Sequence, residues 1–456
     1  MTMKNITRPH RCTHRVPVTA ALFLAWSLVS CGGGGGNSPR GDVNSGSIPT
    51  LDGSTKLIPA LSGSPYSTSL SSCVQASSPA ESCTLSTLPT IGQNSASPTI
   101  EDIMERVVVS HPWMGERFLQ LLEAAPQSLL PLMRSLTAIV VSADIRPSYY
   151  SSTTGAIYID PAYLWLDNAE KATINKGQDF RADFGDEMSF ASLARYVRGN
   201  DYAWEFYDLE GSETRTLNDI VLSTTRLLFH ELAHANDFFP PQLLVDMDPE
   251  DTASEASDKV STRQISRQLA AAQPLNSSLL FDMASVLYSG RIATSDDKAV
   301  SATDVGLAFE IDGATDDYAY SSIYEDTAMM FEEAMMAFHF GVAREIGFTD
   351  NPPQEGASCS DYVVRWGVRH RSGSELVAPR LTSILQAILQ RDDVDEYIAA
   401  LSAPTALENG VDWCSNLRKF SAEAPSAAPS TATPSPPPQI QRPLRRDDRG
   451  DRDLIF

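Results

Sequence analysis

Positive charge is in short supply in this chain, with 35 Lys and Arg against 58 Asp and Glu in 456 residues, for a formal net charge of -23. That balance excludes the electrostatic footprint of a nucleic-acid binder and a general affinity for anionic membrane surfaces. The acids are scattered along the chain, so they read as a solvated surface. Cysteine is scarce as well, 6 in all, and no two stand at the C-x-x-C spacing of a four-cysteine zinc site. The apolar run Val16 to Val29 is too short to cross a membrane comfortably as a mature helix. No internal repeat is evident. Histidine is nearly as rare, at 7 residues, so two of them at a fixed spacing carry information.

The N-terminus has a basic start (Lys4, Arg8, Arg11, Arg15), then the apolar run, then Leu28-Val29-Ser30-Cys31 and five glycines. This resembles the bacterial lipoprotein signal, which implies a signal peptide over 1–30, cleavage before Cys31 and lipid on that cysteine. An ordinary secretory signal or an uncleaved anchor is the alternative. Gly32, where an aspartate is absent, implies transfer to the outer membrane in a Gram-negative cell. Residues 31–98 are rich in Gly, Ser, Pro, Asn and Thr and read as a tether; 421–456 reads as a disordered Pro/Ala/Ser-rich tail. The folded domain is expected over 99–420. Cleavage would remove Cys12, leaving Cys73, Cys83, Cys359 and Cys414. An even number in an exported chain implies disulfides. Of three possible connectivities, Cys73 with Cys83 and Cys359 with Cys414 close loops within one region each.

Helical periodicity covers Ile100 to Ser110, Trp113 to Ala124 and Gln127 to Leu136. Ala138 to Ser142 and Ala156 to Asp160 read as strands joined by a polar turn with Pro147 and Gly155. Phe190 to Val197 is the clearest helix of a charged and aromatic stretch, Ile265 to Ala272 and Leu279 to Tyr288 read as helices, and Asp296 to Asp317 as an acidic loop.

Chemistry concentrates in Thr216 to Pro240, TLNDIVLSTTRLLFHELAHANDFFP. Thr216 and Asp219 form a capping-box-like start and Pro240-Pro241 a stop. Between them His230, Glu231 and His234 spell His-Glu-x-x-His. On a helix the two histidines lie one above the other and reach one metal ion, while Glu231 sits beside it, too far round to be a ligand but placed to act as a general base. Coincidence on a core helix is the competing explanation. A catalytic metal needs a third protein ligand. Tyr318 to Phe340, YAYSSIYEDTAMMFEEAMMAFHF, reads as a second buried helix that nonetheless carries Glu325, Asp326, Glu332 and Glu333. Buried carboxylates need partners, and a metal is one. Ser322-x-x-Glu325 is also a capping box, which gives Glu325 a purely structural alternative.

Glu325-Asp-Thr-Ala328-Met-Met-Phe331 resembles the E-x-x-A-E-x-F pattern of gluzincin metallopeptidases, and Asp237, three residues after His234, is similar to the aspartate of the anthrax lethal factor type. Tyr318 stands seven residues ahead of Glu325, as does that group's oxyanion-supporting tyrosine. The resemblance implies a mainly helical α+β, zincin-like domain with a small sheet, Zn²⁺ held by His230, His234 and Glu325, Glu231 as base, Tyr318 at the oxyanion, Asp237 behind the ligands, and a peptide or protein as substrate. Met329 departs from the pattern, which has an acid bracing a ligand histidine there; Glu332, one helical repeat further on the same face, is the fallback ligand. The resemblance also offers the strand in GAIYIDP as a sheet edge for an extended substrate, against the plainer reading of a half-buried strand. The alternative to an enzyme is a non-catalytic envelope module that keeps the fold.

Overall fold

Ala138–Val141 and Ala156–Ile159 are apolar at every position, so a strand made from either has no face to offer water and must be covered on both sides. The computed structural model, which describes residues 51, 55–177, 179–353, 356–419 and 454–455, shows how this is met. One sheet runs β1 (Ile58–Pro59), β2 (Val107–Val109), β3 (Ala138–Val141), β5 (Ala156–Ile159), β4 (Ser148–Ser151) and β11 (Leu454–Ile455). The pairs β2–β3 and β3–β5 are parallel and β4–β5 is antiparallel. Alternate side chains go to opposite faces. Val107, Val109, Ile139, Val141, Ile157 and Ile159 join the main core, while Val108, Ala138, Val140, Ala156 and Tyr158 join a second core with Leu57, Leu70, Cys73, Val74 and Leu88.

That second core corrects the expected domain start. Much of the stretch assigned to a tether is a packed layer that covers the sheet, closed by the disulfide Cys73–Cys83. The described fold therefore begins near residue 55, and composition misled because many small polar residues here cap and turn while a few apolar ones are buried. The lipoprotein signal, with Cys31, and most of the expected tail lie outside the described residues. At the chain's end, Leu454–Ile455 pair in parallel with Ser148–Tyr149.

The second sheet runs β10 (Thr405–Ala406), β9 (Val364–Arg369), β8 (Ala343–Asp350), β6 (Phe190–Arg198) and β7 (Asp201–Tyr202), antiparallel throughout. Here β6 replaces the helix expected over Phe190 to Val197. Phe190 and Tyr196 enter the main core and Leu193 a smaller one with Trp413, so both faces are buried and the polar alternation that marks a strand is missing. The disulfide Cys359–Cys414 lies in that smaller core. Both expected disulfide pairs are thus present.

Other elements also differ from expectation. The helix begun at Ile100 stops at Met104 and gives way to β2; the segment after Gln127 is a short helix, Leu129–Leu132, continued as a 3-10 turn. The acidic stretch expected as a loop holds helices Ser295–Ala299 and Ala302–Glu310, started by the capping boxes Thr294–Asp297 and Ser301–Asp304. Strand β5 is paired on both sides, so it is not the sheet edge offered for a substrate. Among the described residues the fold is α+β and mainly helical, 44% helix to 14% strand. Among the described residues no helix is long and apolar enough to cross a membrane.

Candidate metal centre

Two long helices carry the candidate site. The histidine helix, Leu217–Phe238, starts at a capping box in which the Thr216 amide and hydroxyl donate to Asp219 Oδ2 (2.7 and 2.8 Å). Its residues from Thr224 to Phe238 are all buried, as an apolar circumference demands. The carboxylate helix, Ile323–Phe340, packs along it, with Phe229 and Phe331 edge to face at 6.4 Å. Ser322 caps its start and Gly341, at φ +60°, ends it in the left-handed region that glycine enters without penalty. Tyr318 precedes that helix, in a 3-10 turn over Asp317–Tyr320. Its amide donates to Asp316 Oδ1 at 2.8 Å, and Arg344 clamps Asp316 Oδ2 at 2.9 and 2.7 Å.

His230 Nε2, His234 Nε2 and Glu325 Oε2 converge. His230 Nε2 lies 3.0 Å from Glu325 Oε2, His234 Nε2 lies 3.4 Å from the same oxygen, and the two nitrogens are 3.2 Å apart. Three ligands of a tetrahedral ion bonded at about 2.0–2.1 Å would stand about 3.3 Å apart. The triangle therefore has the dimensions of a metal site, and the three residues form the described group that could hold an ion. All are at most 1% exposed. Ser322 Oγ accepts from the Glu325 amide at 3.2 Å, but the Glu325 side chain turns to the histidines, so half of the capping box is given up to the site. Tyr318 donates to the other oxygen, Glu325 Oε1, at 3.2 Å.

The donor set fits a cation better than it fits hydrogen bonds among its own members. His230 Nδ1 lies 3.1 Å from Glu332 Oε2, which puts a proton on Nδ1 and leaves the Nε2 lone pair facing a carboxylate and a second imidazole. Such a centre needs a positive charge in it. In the absence of metal a proton supplies it: burial opposes protonation of His230, but its bonds to Glu325 and Glu332 outweigh burial and push its pKa up to about 10. The Glu325 carboxyl moves the other way, well below the usual range; burial raises it, and the neighbouring imidazoles overcome that. His234 is lowered, mainly by burial.

Glu231 stands apart from this pattern. It is fully buried, and neither carboxylate oxygen has a hydrogen-bond partner. Burial, with the charges of Glu325 and Glu332 adding to it and His230 and Arg226 opposing, pushes its pKa up to about 8.

Two expectations about the surrounding acids need correcting. Asp237, expected behind a ligand histidine, instead accepts from the Ser266 amide (2.9 Å) and hydroxyl (2.6 Å) and fixes the start of helix Ile265–Ala272. Met329, at the place where an acid was missed, is buried in the main core. The brace comes from Glu332, seven residues after Glu325 and on the same stripe of the helix, and not available as the third ligand because it grips the far nitrogen of His230. Seven residues are close to two helical turns, which was the signal for it. The remaining acids of the helix are spent elsewhere: Asp326 pairs with Arg380 (Nη1 to Oδ1, 3.0 Å) and Glu333 lies 3.9 Å from Arg344. His339 is half-buried, 2.8 Å from Ser128 Oγ and stacked on Phe229.

Compared with known proteins, the chain matches no family model, no curated protein sequence and no solved structure.

Proposed function

We propose that the protein is a zinc-dependent peptidase with a zincin-like domain, anchored to the cell envelope through lipid on Cys31. The observation that carries this reading is Glu231, a buried carboxylate without a partner, adjoining three convergent metal ligands. A site that only needs structure satisfies or removes such a group, whereas a hydrolytic site needs a base there. The two imidazoles and single carboxylate, at the separations of a tetrahedral site, support zinc. Zinc at that point supplies an acidified water and a Lewis acid for a carbonyl oxygen.

The chain's own residues do the rest. Glu231 takes the proton of the attacking water and returns it to the leaving amine. Tyr318, already a donor on Glu325 Oε1, turns its hydroxyl to the developing oxyanion. Glu332 fixes the ring and tautomer of His230. Peptides are proposed as substrates from the resemblance of the two helices to gluzincin peptidases. The signal-like N-terminus and two disulfides support an oxidising compartment outside the cytoplasm.

The test is Glu231→Gln, assayed for bound metal and for cleavage of a broad peptide mixture. Metal retained with hydrolysis lost by at least ~100-fold supports the enzyme, the magnitude general-base catalysis commonly contributes. Metal bound by both forms and hydrolysis by neither would identify a non-catalytic module.

A further inference from the structure

We infer that Tyr196, a residue of the second sheet, is a positioning residue for the metal centre, acting through Glu332. The inference rests on the reading of His230, His234 and Glu325 as a metal site and extends it to a strand that touches no ligand in the triangle. Glu332 is fully buried and its two oxygens are divided. Oε2 faces His230 Nδ1 at 3.1 Å, with Arg226 Nη1 further off at 3.6 Å. Among the described residues Oε1 is held by the Tyr196 hydroxyl, which donates to it at 2.7 Å.

The geometry makes Tyr196 the part that fixes the direction of the brace. A carboxylate held at one oxygen only can swing about its terminal torsion, which is broad and poorly restrained by the rotamer itself. Held at both, its plane is set, and Oε2 stays on Nδ1. Removing the Tyr196 hydroxyl would leave Oε1 buried without that donor, and a buried acceptor that loses its donor keeps its desolvation penalty uncompensated. The carboxylate then gains by turning Oε1 toward another donor, and Arg226 is beside it on the histidine helix. Any such turn takes Oε2 off His230 and frees the ring that the ion depends on.

Tyr196 is itself firmly placed. It sits in β6, paired along its length to β8, and its ring packs on Trp204 at 5.4 Å and under the Arg344 guanidinium at 5.3 Å. The hydroxyl is thus delivered by a rigid strand, not a loop, which is what a supporting group requires. Through this bond strand β6 bears on the metal centre.

The experiment measures zinc affinity by chelator competition in the full chain, with thermal unfolding of the metal-free protein as a control. Tyr196→Phe should weaken zinc binding about tenfold, at the low end of what loss of an outer partner costs, and Glu332→Gln by as much or more. The double variant should bind no more weakly than Glu332→Gln alone, because both substitutions break one chain of contacts. Replacing Tyr196 by 4-aminophenylalanine, which keeps a donor on the ring, should hold affinity near wild type even if Tyr196→Phe folds poorly. Equal zinc affinity in wild type and Tyr196→Phe, additive losses in the double variant, or failure of the amino side chain to rescue would overturn the inference while leaving the metal site standing. Absence of zinc binding by the wild type would instead bring down the metal-site reading itself.

Discussion

Glu325 and Glu332 hold the two nitrogens of one imidazole from the same helix face, so His230 is gripped on both sides by carboxylates, and Glu325 Oε2 also lies 3.4 Å from His234 Nε2. The double grip on His230 has a measurable consequence. With a metal-free pKa near 10, His230 carries a proton at neutral pH that a metal ion must displace. Because the proton competes with the ion, apparent affinity should rise with pH, by up to about tenfold per unit below the His230 pKa. Calorimetric titration at pH 7 in buffers of different ionisation enthalpy should show release of at least one proton per ion, and none released would contradict the second proton that His230 carries without metal. The triad itself was readable in the sequence, because two histidines and a glutamate at helical spacing constrain geometry without knowledge of the fold. The brace was not. Met329 and Glu332 lie on neighbouring parts of one helix face, and which of them meets His230 depends on how deep the two helices pack.

At the scale of elements, sequence patterns succeeded where one face met water and failed where neither did. The helices Pro112–Ala124, Ile265–Ala272 and Ser278–Leu287 each keep a polar face and were readable. Strand β6 is buried on both sides, and its Ala, Leu and Arg residues favour helix locally, so only pairing with β8 decides its form. The layer over residues 55–98 was hidden for a different reason: its few apolar residues look isolated until the doubly apolar strands β3 and β5 are recognised as needing a second cover. Disulfides hold the periphery of both sheets. Cys359–Cys414 closes a loop of 55 residues, for which chain entropy gives about 4 kcal/mol of stabilisation. Replacing both cysteines with alanine should lower the unfolding free energy in denaturant titration by that order; a loss below about 1 kcal/mol would mean the small core around Trp413 holds this region unaided.

Buried charge gathers around the metal centre, while other buried ions, such as Glu345 with Arg195 and Arg369, sit in pairs of their own. Glu231, Glu325, Glu332 and Glu333 are all at most 3% exposed, as are both ligand histidines, in a chain whose remaining acids were read as a solvated surface. Burying that many ionisable groups costs several kcal/mol for each unpaired charge. Arg226, beside Glu332, and Arg344, beside Glu333, offset part of it, and the centre between His230, His234 and Glu325 is where a divalent cation would offset most of the rest. The most direct test of this account is the metal content of the purified, zinc-equilibrated and desalted protein, measured by mass spectrometry beside the Glu325→Ala variant. The account expects one zinc per chain in the wild type and sharply less, by ten-fold or more, in the variant. A wild type with no zinc above background, or a Glu325→Ala variant with a full equivalent, would contradict it.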